Sequence, residues 1–217
     1  MTIYILGAKS SFITESIEIC ESAGYTNIIC VDNLDKNASG QIDGYPIISL
    51  SFFLSKAPTP PFICAVHTPL FKEQIVSSFN HSSTTAVSVF HKSAVLSKRA
   101  SISNKGVLIA PLTVVGSHTT IDDFVLINRG ALIGHDVYIS HYSTIESGVV
   151  LNGFCEIGEK SYIGAGAVIL PKVKIGKNCV IAAGAVVLHD VFDHCMVAGV
   201  PAVIKKEKIP GYLGGIE

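Results

Sequence analysis

The sequence predicts a small Rossmann-like α/β domain over residues 1–90, followed by a parallel β-helix of the hexapeptide-repeat kind over 91–217. Two observations predict the helix. An aliphatic residue stands at every sixth position from Ile109 to Val187, through Val115, Ile121, Ile127, Ile133, Ile139, Ile145, Leu151, Ile157, Ile163, Ile169, Ile175 and Ile181. Four residues after each comes a small or β-branched one, from Thr113, Thr119 and Val125 through Cys155 and Cys179 to Val191. With roughly a third of residues being Ile, Leu or Val, the first series has a chance probability on the order of 10⁻⁶, so it is a real repeat. A period of six is neither the 3.6 of a helix nor the 2 of a strand. It fits a solenoid in which each hexad makes a short strand and a corner, and three hexads close a triangular coil. The third observation is a strand–helix–strand pattern before the repeat, the mark of a βαβ unit.

The first elements read in order. TIYILGA is an apolar strand ending at Gly7. SSFITESIEICESAG carries Phe12, Ile13, Ile17 and Ile19 and closes on Gly24, so a helix is expected there. NIICVDN is a second strand, ending at Asp32. PFICAVH is a third, and PLFKEQIVSSFN a helix behind it. Sheets of this kind bind ligands at the carboxyl edges of their strands, where Gly7 and Asp32 stand. A dinucleotide fingerprint needs two further glycines, and Lys9, Ser10, Ser11 and Phe12 follow instead. The reading is a shortened sheet that holds a nucleotide other than NAD.

HKSAVLSKRASISNKG is the transition. Leu96, Ile102 and Leu108 already step by six, and the phase then slips by one residue to Ile109, which predicts a bulge or an irregular first coil. AGVPAVIKKEKIPGYLGGIE leaves the period and reads as a cap or tail, since solenoid ends must be covered.

Composition narrows the function. The net charge of −1 gives no bulk attraction to nucleic acid or an anionic membrane. No apolar run is long enough to span a bilayer, and the N-terminus reads as a strand rather than a signal peptide. The six cysteines form no CxxC pair, which suits a reduced, cytoplasmic protein. The histidines do not share stacking columns with carboxylates, so no metal is expected.

Corners are the exposed positions of such a solenoid, and most of their residues follow from turn chemistry. Gly134-His135-Asp136 is different, because a histidine stands beside an acid. Imidazole is the usual general base, and a neighbouring carboxylate raises its basicity or holds one tautomer. One coil later the same corner carries Gly153, which leaves space beside the ring. A solvated surface histidine fits the same residues.

INRGALIGHDVYI, the hexads up to IAAGAVV and the AGVPA ending resemble the hexapeptide acyltransferases. More narrowly, the chain resembles the two-domain bacterial group that includes the N-acetyltransferase PglD, perosamine N-acetyltransferase and the sialic acid O-acetyltransferase NeuD. The resemblance implies a left-handed helix, a homotrimer, acetyl-CoA as donor and a nucleotide-linked 4-amino sugar as acceptor. It implies His135 as catalytic base and Asp136 as its acidic neighbour. Asn128 falls near the acceptor, while Lys9, Ser10, Ser11, Asp32 and Asn33 fall on the loops that hold the nucleotide-sugar. Thr144, Gly153, Ala165 and Ala183 fall where relatives meet acetyl-CoA, Thr144 at a position where many carry histidine. Where relatives have a glycine-rich GASGHG-like turn, this chain has GAKSSF. The expected activity is N-acetylation by direct attack. The alternatives are O-acetylation of sialic acid or another sugar, and a non-catalytic trimeric scaffold.

Overall fold

A computed structural model describes residues 1–55, 60–78 and 85–213. The first unit contains β1 (Thr2–Leu6), α1 (Ile13–Ser22), β2 (Asn27–Asp32), β3 (Gln41–Ile42), β4 (Tyr45–Ser49), α2 (Leu50–Leu54), β5 (Phe62–Cys64) and α3 (Pro69–Ser77). The sheet order is β3-β4-β2-β1-β5. Strands β4, β2, β1 and β5 run parallel, and β3 pairs antiparallel with β4. Central β1 is apolar at nearly every position because both faces are covered. Ile3 and Ile5 pack with α1 and the solenoid, whereas Tyr4 and Leu6 pack with Phe53, Phe62 and Val76.

The expected βαβ elements all form. The β3–β4 hairpin and α2 are additions, short pieces without a readable period. Helix α1 starts three residues later than its sequence pattern, because Ser10, Ser11 and Phe12 belong to a turn. The Ser10 hydroxyl donates to the Ala65 carbonyl (2.8 Å) and accepts from the Phe12 N–H (3.2 Å). The helix closes at Gly24, whose φ of 97° is the left-handed geometry a helix stop requires. The last two residues of PLFKEQIVSSFN and the final four of the tail lie outside the described residues.

The solenoid has three parallel faces. The domain face stacks strands 89–90, 108–109, 126–127, 144–145, 162–163 and 180–181; the aliphatic face stacks 95–96, 114–115, 132–133, 150–151, 168–169 and 186–187; the polar face stacks 101–102, 120–121, 138–139, 156–157 and 174–175. The ladder from Ile109 to Val187 fills the interior, and the small residues beside it are buried. Their hydroxyls close the corners: Thr119 donates to Gly134 O (2.7 Å), and Ser143 to Gly158 O (2.9 Å). Cys155 and Cys179 fill the same slot, and burial pushes both thiols up to about 11. All six cysteines are unpaired and buried. The phase slip is an extra residue in the corner at 103–107, so the first coil is one residue longer than the next. Gly106 turns there with φ 73°, directly against the Phe124 ring.

The two units share one core. Val89, Leu108 and Leu126 point out of the domain face into the cluster that holds β1 and α1. Polar contacts ring this joint: Glu15–Arg129 (2.7 Å), Glu73–Lys160 (3.0 Å) and the Lys92 N–H to the Ser22 hydroxyl (2.9 Å). At its centre Lys72 is fully buried, donating to Phe124 O (3.0 Å) and Thr144 Oγ1 (3.2 Å). Beyond the last coil, Met196–Gly199 turns back as an antiparallel pair with Ala202–Lys206. The tail then folds over the domain face, where Tyr212 stacks on Tyr162 (3.7 Å, 12°). Among the described residues no helix is long and apolar enough to cross a membrane.

Candidate active site

From 110–112 to 182–184 each corner places its third residue at positive φ, as in Gly130, Asp136, Gly148, Phe154, Gly166 and Gly184. This is the geometry of a type II turn, which puts the preceding residue at the outermost point. In the 134–136 corner that outermost residue is His135, and Asp136 takes the left-handed position (φ 56°) that Asp tolerates better than most. The Asp136 carboxylate meets His135 Nδ1 at 2.8 Å, which leaves Nε2 facing outward over Gly153. Phe154 supports the ring edge-on (5.1 Å, 89°). A shallow hollow of about 540 Å³ opens here, bordered by Leu132, Val150, Pro171 and Lys172. An imidazole with Nδ1 held by a carboxylate and Nε2 open is equipped to take a proton.

The expected site residues divide between two edges and one cavity. His135, Asp136 and Gly153 lie on the edge between the aliphatic and polar faces. Asn128, Ala165 and Ala183 lie on the edge between the domain and aliphatic faces. Within one chain these edges are separated by the width of the aliphatic face. Ala165 and Ala183 are exposed in corners built only of Gly and Ala, 164–166 and 182–184, so their backbone is bare. An apolar hollow of about 390 Å³ adjoins them, walled by Tyr162, Met196 and the tail at Pro210–Leu213. Thr144 is elsewhere than an open wall. It is fully buried under the α/β domain, where its hydroxyl donates to His67 O (2.8 Å).

The loops after β1 and β5 enclose a cavity of about 460 Å³ lined by Gly7, Lys9, Ser10, Ser11, Asn33 and His67, among others. It lies where strand order reverses about β1, the usual ligand crevice of such sheets. The Gly7 turn has φ 98° and abuts Val66, so no side chain fits there. Asp32 is not open to the cavity. Its carboxylate accepts the Leu34 and Asp35 N–H groups (2.8 and 3.1 Å) and meets Lys9 Nζ at 3.1 Å. Burial opposes that charge, but these donors outweigh it and hold the pKa below the usual carboxylate value.

One cluster was absent from the sequence reading. His67 lies between the cavity and the solenoid, with Nδ1 3.7 Å from Glu146 Oε1 and Nε2 3.2 Å from the Ser11 hydroxyl. Glu146 Oε2 accepts from Asn128 Nδ2 (2.8 Å), and the Tyr162 hydroxyl also bonds to Glu146. Burial lowers the His67 pKa more than Glu146 raises it. The one sequence signal was the position of His67, just past the carboxyl end of a strand. Glu146 resembled any other acidic corner. Among the described residues no group of side chains is arranged to hold a metal ion.

Residues 154–189 match the family described as Bacterial transferase hexapeptide (six repeats). No curated protein sequence matches the chain. Solved structures similar to it cover nearly all of it. The acetyltransferase domain of PglB from Neisseria gonorrhoeae FA1090, in complex with acetyl coenzyme A, is 27% identical, with 94% of this chain and 98% of that one covered and a TM-score of 0.87. PerB from Caulobacter crescentus, in complex with CoA and GDP-perosamine, is 25% identical over 95% and 98% of the chains (TM-score 0.87). WeeI from Acinetobacter baumannii AYE is 28% identical over 94% and 100% (TM-score 0.85). Repeat, fold and likeness together make this chain a two-domain hexapeptide-repeat enzyme of the acetyltransferase type.

Proposed function

We propose that the protein transfers the acetyl group of acetyl-CoA to the amino group of a nucleotide-linked 4-amino sugar. The observation that carries this reading is His135: Nδ1 is bound to Asp136, and Nε2 is open above a bare glycine. The ligands of PerB, CoA and GDP-perosamine, and of the PglB domain, acetyl coenzyme A, support the substrate classes. The amine nitrogen attacks the thioester carbonyl carbon, and the carbon–sulfur bond breaks as the tetrahedral intermediate collapses. His135 Nε2 takes the amine proton and passes it to the departing thiolate, while Asp136 stabilises the imidazolium. Lys9, Ser10, Ser11 and Asn33 hold the nucleotide end. The Gly/Ala corners at Ala165 and Ala183 admit the backbone contacts of CoA.

This reading needs a second subunit, and the aliphatic face supplies a reason. Its outward residues are Val95, Val114, Leu132, Val150, Val168 and Val186, an uninterrupted apolar column. The polar face carries Ser101, Thr120, Tyr138, Glu156 and Lys174 in the same places. Monomers rarely expose so continuous an apolar strip. Three aliphatic faces turned toward a common axis form a closed ring. At each vertex the His135 edge of one subunit meets the Asn128 edge of the next, so the two halves of the site come together.

The test is competition kinetics with thiol release as the signal. Free UDP, dTDP or GDP should compete with the sugar-nucleotide and not with acetyl-CoA. If none inhibits and free sialic acid is acetylated, the protein is an O-acetyltransferase instead.

A further inference from the structure

We infer that His67, held by Glu146, is the specificity residue that accepts a hydrogen bond from an N–H or O–H group on the sugar ring of the acceptor. The inference rests on the amino-sugar acetyltransferase reading. Three features carry it. First, Glu146 is buried and anchored by Asn128 and Tyr162, so its second oxygen is fixed toward His67 Nδ1. A carboxylate facing Nδ1 favours the tautomer with the proton there, which leaves a lone pair on Nε2. Second, that lone pair points at the cavity mouth, where its partner is the hydroxyl of exposed Ser11. A ligand donor displaces such a hydroxyl at little cost, because exposed Ser11 turns instead to water or to the nucleotide end of the same ligand. Third, His67 is tethered through both its backbone and its ring. Its carbonyl accepts from Thr144, which Lys72 holds in turn, and its ring packs edge-on against Phe12 (5.6 Å).

Position supplies the substrate group. Gly7, Lys9 and Ser10, on the loop that runs beside Ala65 and Val66, suit the diphosphate through a bare turn and a cation. His67 lies at the side that meets the solenoid, next to the Asn128 edge. A sugar that reaches from the diphosphate toward that edge passes His67. The neutral ring with an anionic carboxylate behind it attracts donors and repels phosphate. Groups facing it are Ser11 and Glu15 from the α1 side, Lys72 from α3, and Glu146 with Arg129 from the solenoid. Protonation of the ring turns Nε2 into a donor and removes the site.

The experiment is calorimetric binding of GDP-perosamine and of UDP- and dTDP-4-amino-4,6-dideoxyglucose to the full chain, with acetyl-CoA as a separate ligand. His67→Phe keeps the ring and its packing but has no lone pair. Glu146→Gln keeps the bond to Asn128 but loses the charge. The dissociation constant of the tightest probe should rise at least tenfold in the first and three- to tenfold in the second. Acetyl-CoA binding should stay within twofold in both. Wild-type probe binding should weaken as pH falls from 7 to 5, with His67→Phe flat over that window. Unchanged probe binding in His67→Phe, or the same pH dependence in both proteins, overturns the assignment to His67 alone. If no probe binds the wild type while acetyl-CoA does, the sugar-nucleotide reading fails and this assignment falls with it.

Discussion

The His135 imidazole occupies the space above Gly153: a methyl group on that glycine would lie 2.7 Å from Nε2 and 2.8 Å from Cε1. Gly153→Ala should therefore push the ring aside without straining the backbone, since Gly153 is not at positive φ. We expect kcat to fall at least tenfold, with a melting temperature close to that of the parent. Steady-state thiol release and a thermal melt check both halves. Full activity would show that the ring position over Gly153 is not the productive one.

Replacing His135 by Asn or Ala should lower kcat by about 10² to 10⁴, the usual worth of a general base, or roughly 3 to 5 kcal/mol of barrier. The fold should survive, because the ring is on the outside of the corner and the Ile ladder is untouched. Activity within a few-fold of the parent removes His135 from the base role.

Leu132→Glu puts a charge in the middle of the aliphatic column. Light scattering should change from a trimer mass to a monomer mass, and activity should fall at least a hundredfold even though His135 and the nucleotide loops are intact. A trimer that persists would place the interface elsewhere. Co-expression offers a complementary check. Mixed assemblies of His135→Ala and Lys9→Glu chains should regain part of the activity that each variant lacks alone. No regain is expected if both halves of the site come from one chain.

Lys72 gives stability a pH dependence with a definite sign. Burial holds its ammonium at about 8, below the ordinary lysine value. From pH 8 upward the unfolded chain keeps a proton that the folded chain has released, so this group makes unfolding harder as pH rises through that window. The buried thiols of Cys20, Cys30, Cys155 and Cys179 act oppositely, because their pKa values are raised from 9 to about 11 or 12. They begin to oppose it near pH 9. Urea unfolding at pH 7.5 and pH 9 should thus show stability rising more in the wild type than in Lys72→Met. Equal slopes would mean that the buried amine stays protonated throughout.

The solenoid was legible because its signal is local and repeated. Each hexad needs one interior aliphatic and one small neighbour, and the chain states that rule fourteen times. The βαβ unit was legible for a related reason, since central strands covered on both faces must be apolar. The His135–Asp136 pair could also be read, because the two residues are adjacent and their corner stacks on Gly153 by the coil period. The hairpin at Gln41–Ser49 was not legible, being too short to show a period. What only the tertiary structure decided is how the two units meet. His67 and Glu146 are far apart in sequence, and neither has a pattern around it. They face each other because Leu108 and Leu126 dock against the α/β core and Lys72 ties α3 to the solenoid carbonyls. The same docking buries Thr144, whereas the bond from Asn128 to Glu146 follows from the coil period, since the two residues stand eighteen apart on one corner. Residue spacing reports which side chains share a face of one repeat. It carries no information about which face a second domain will cover, because that depends on shape and polarity matched across the whole joint.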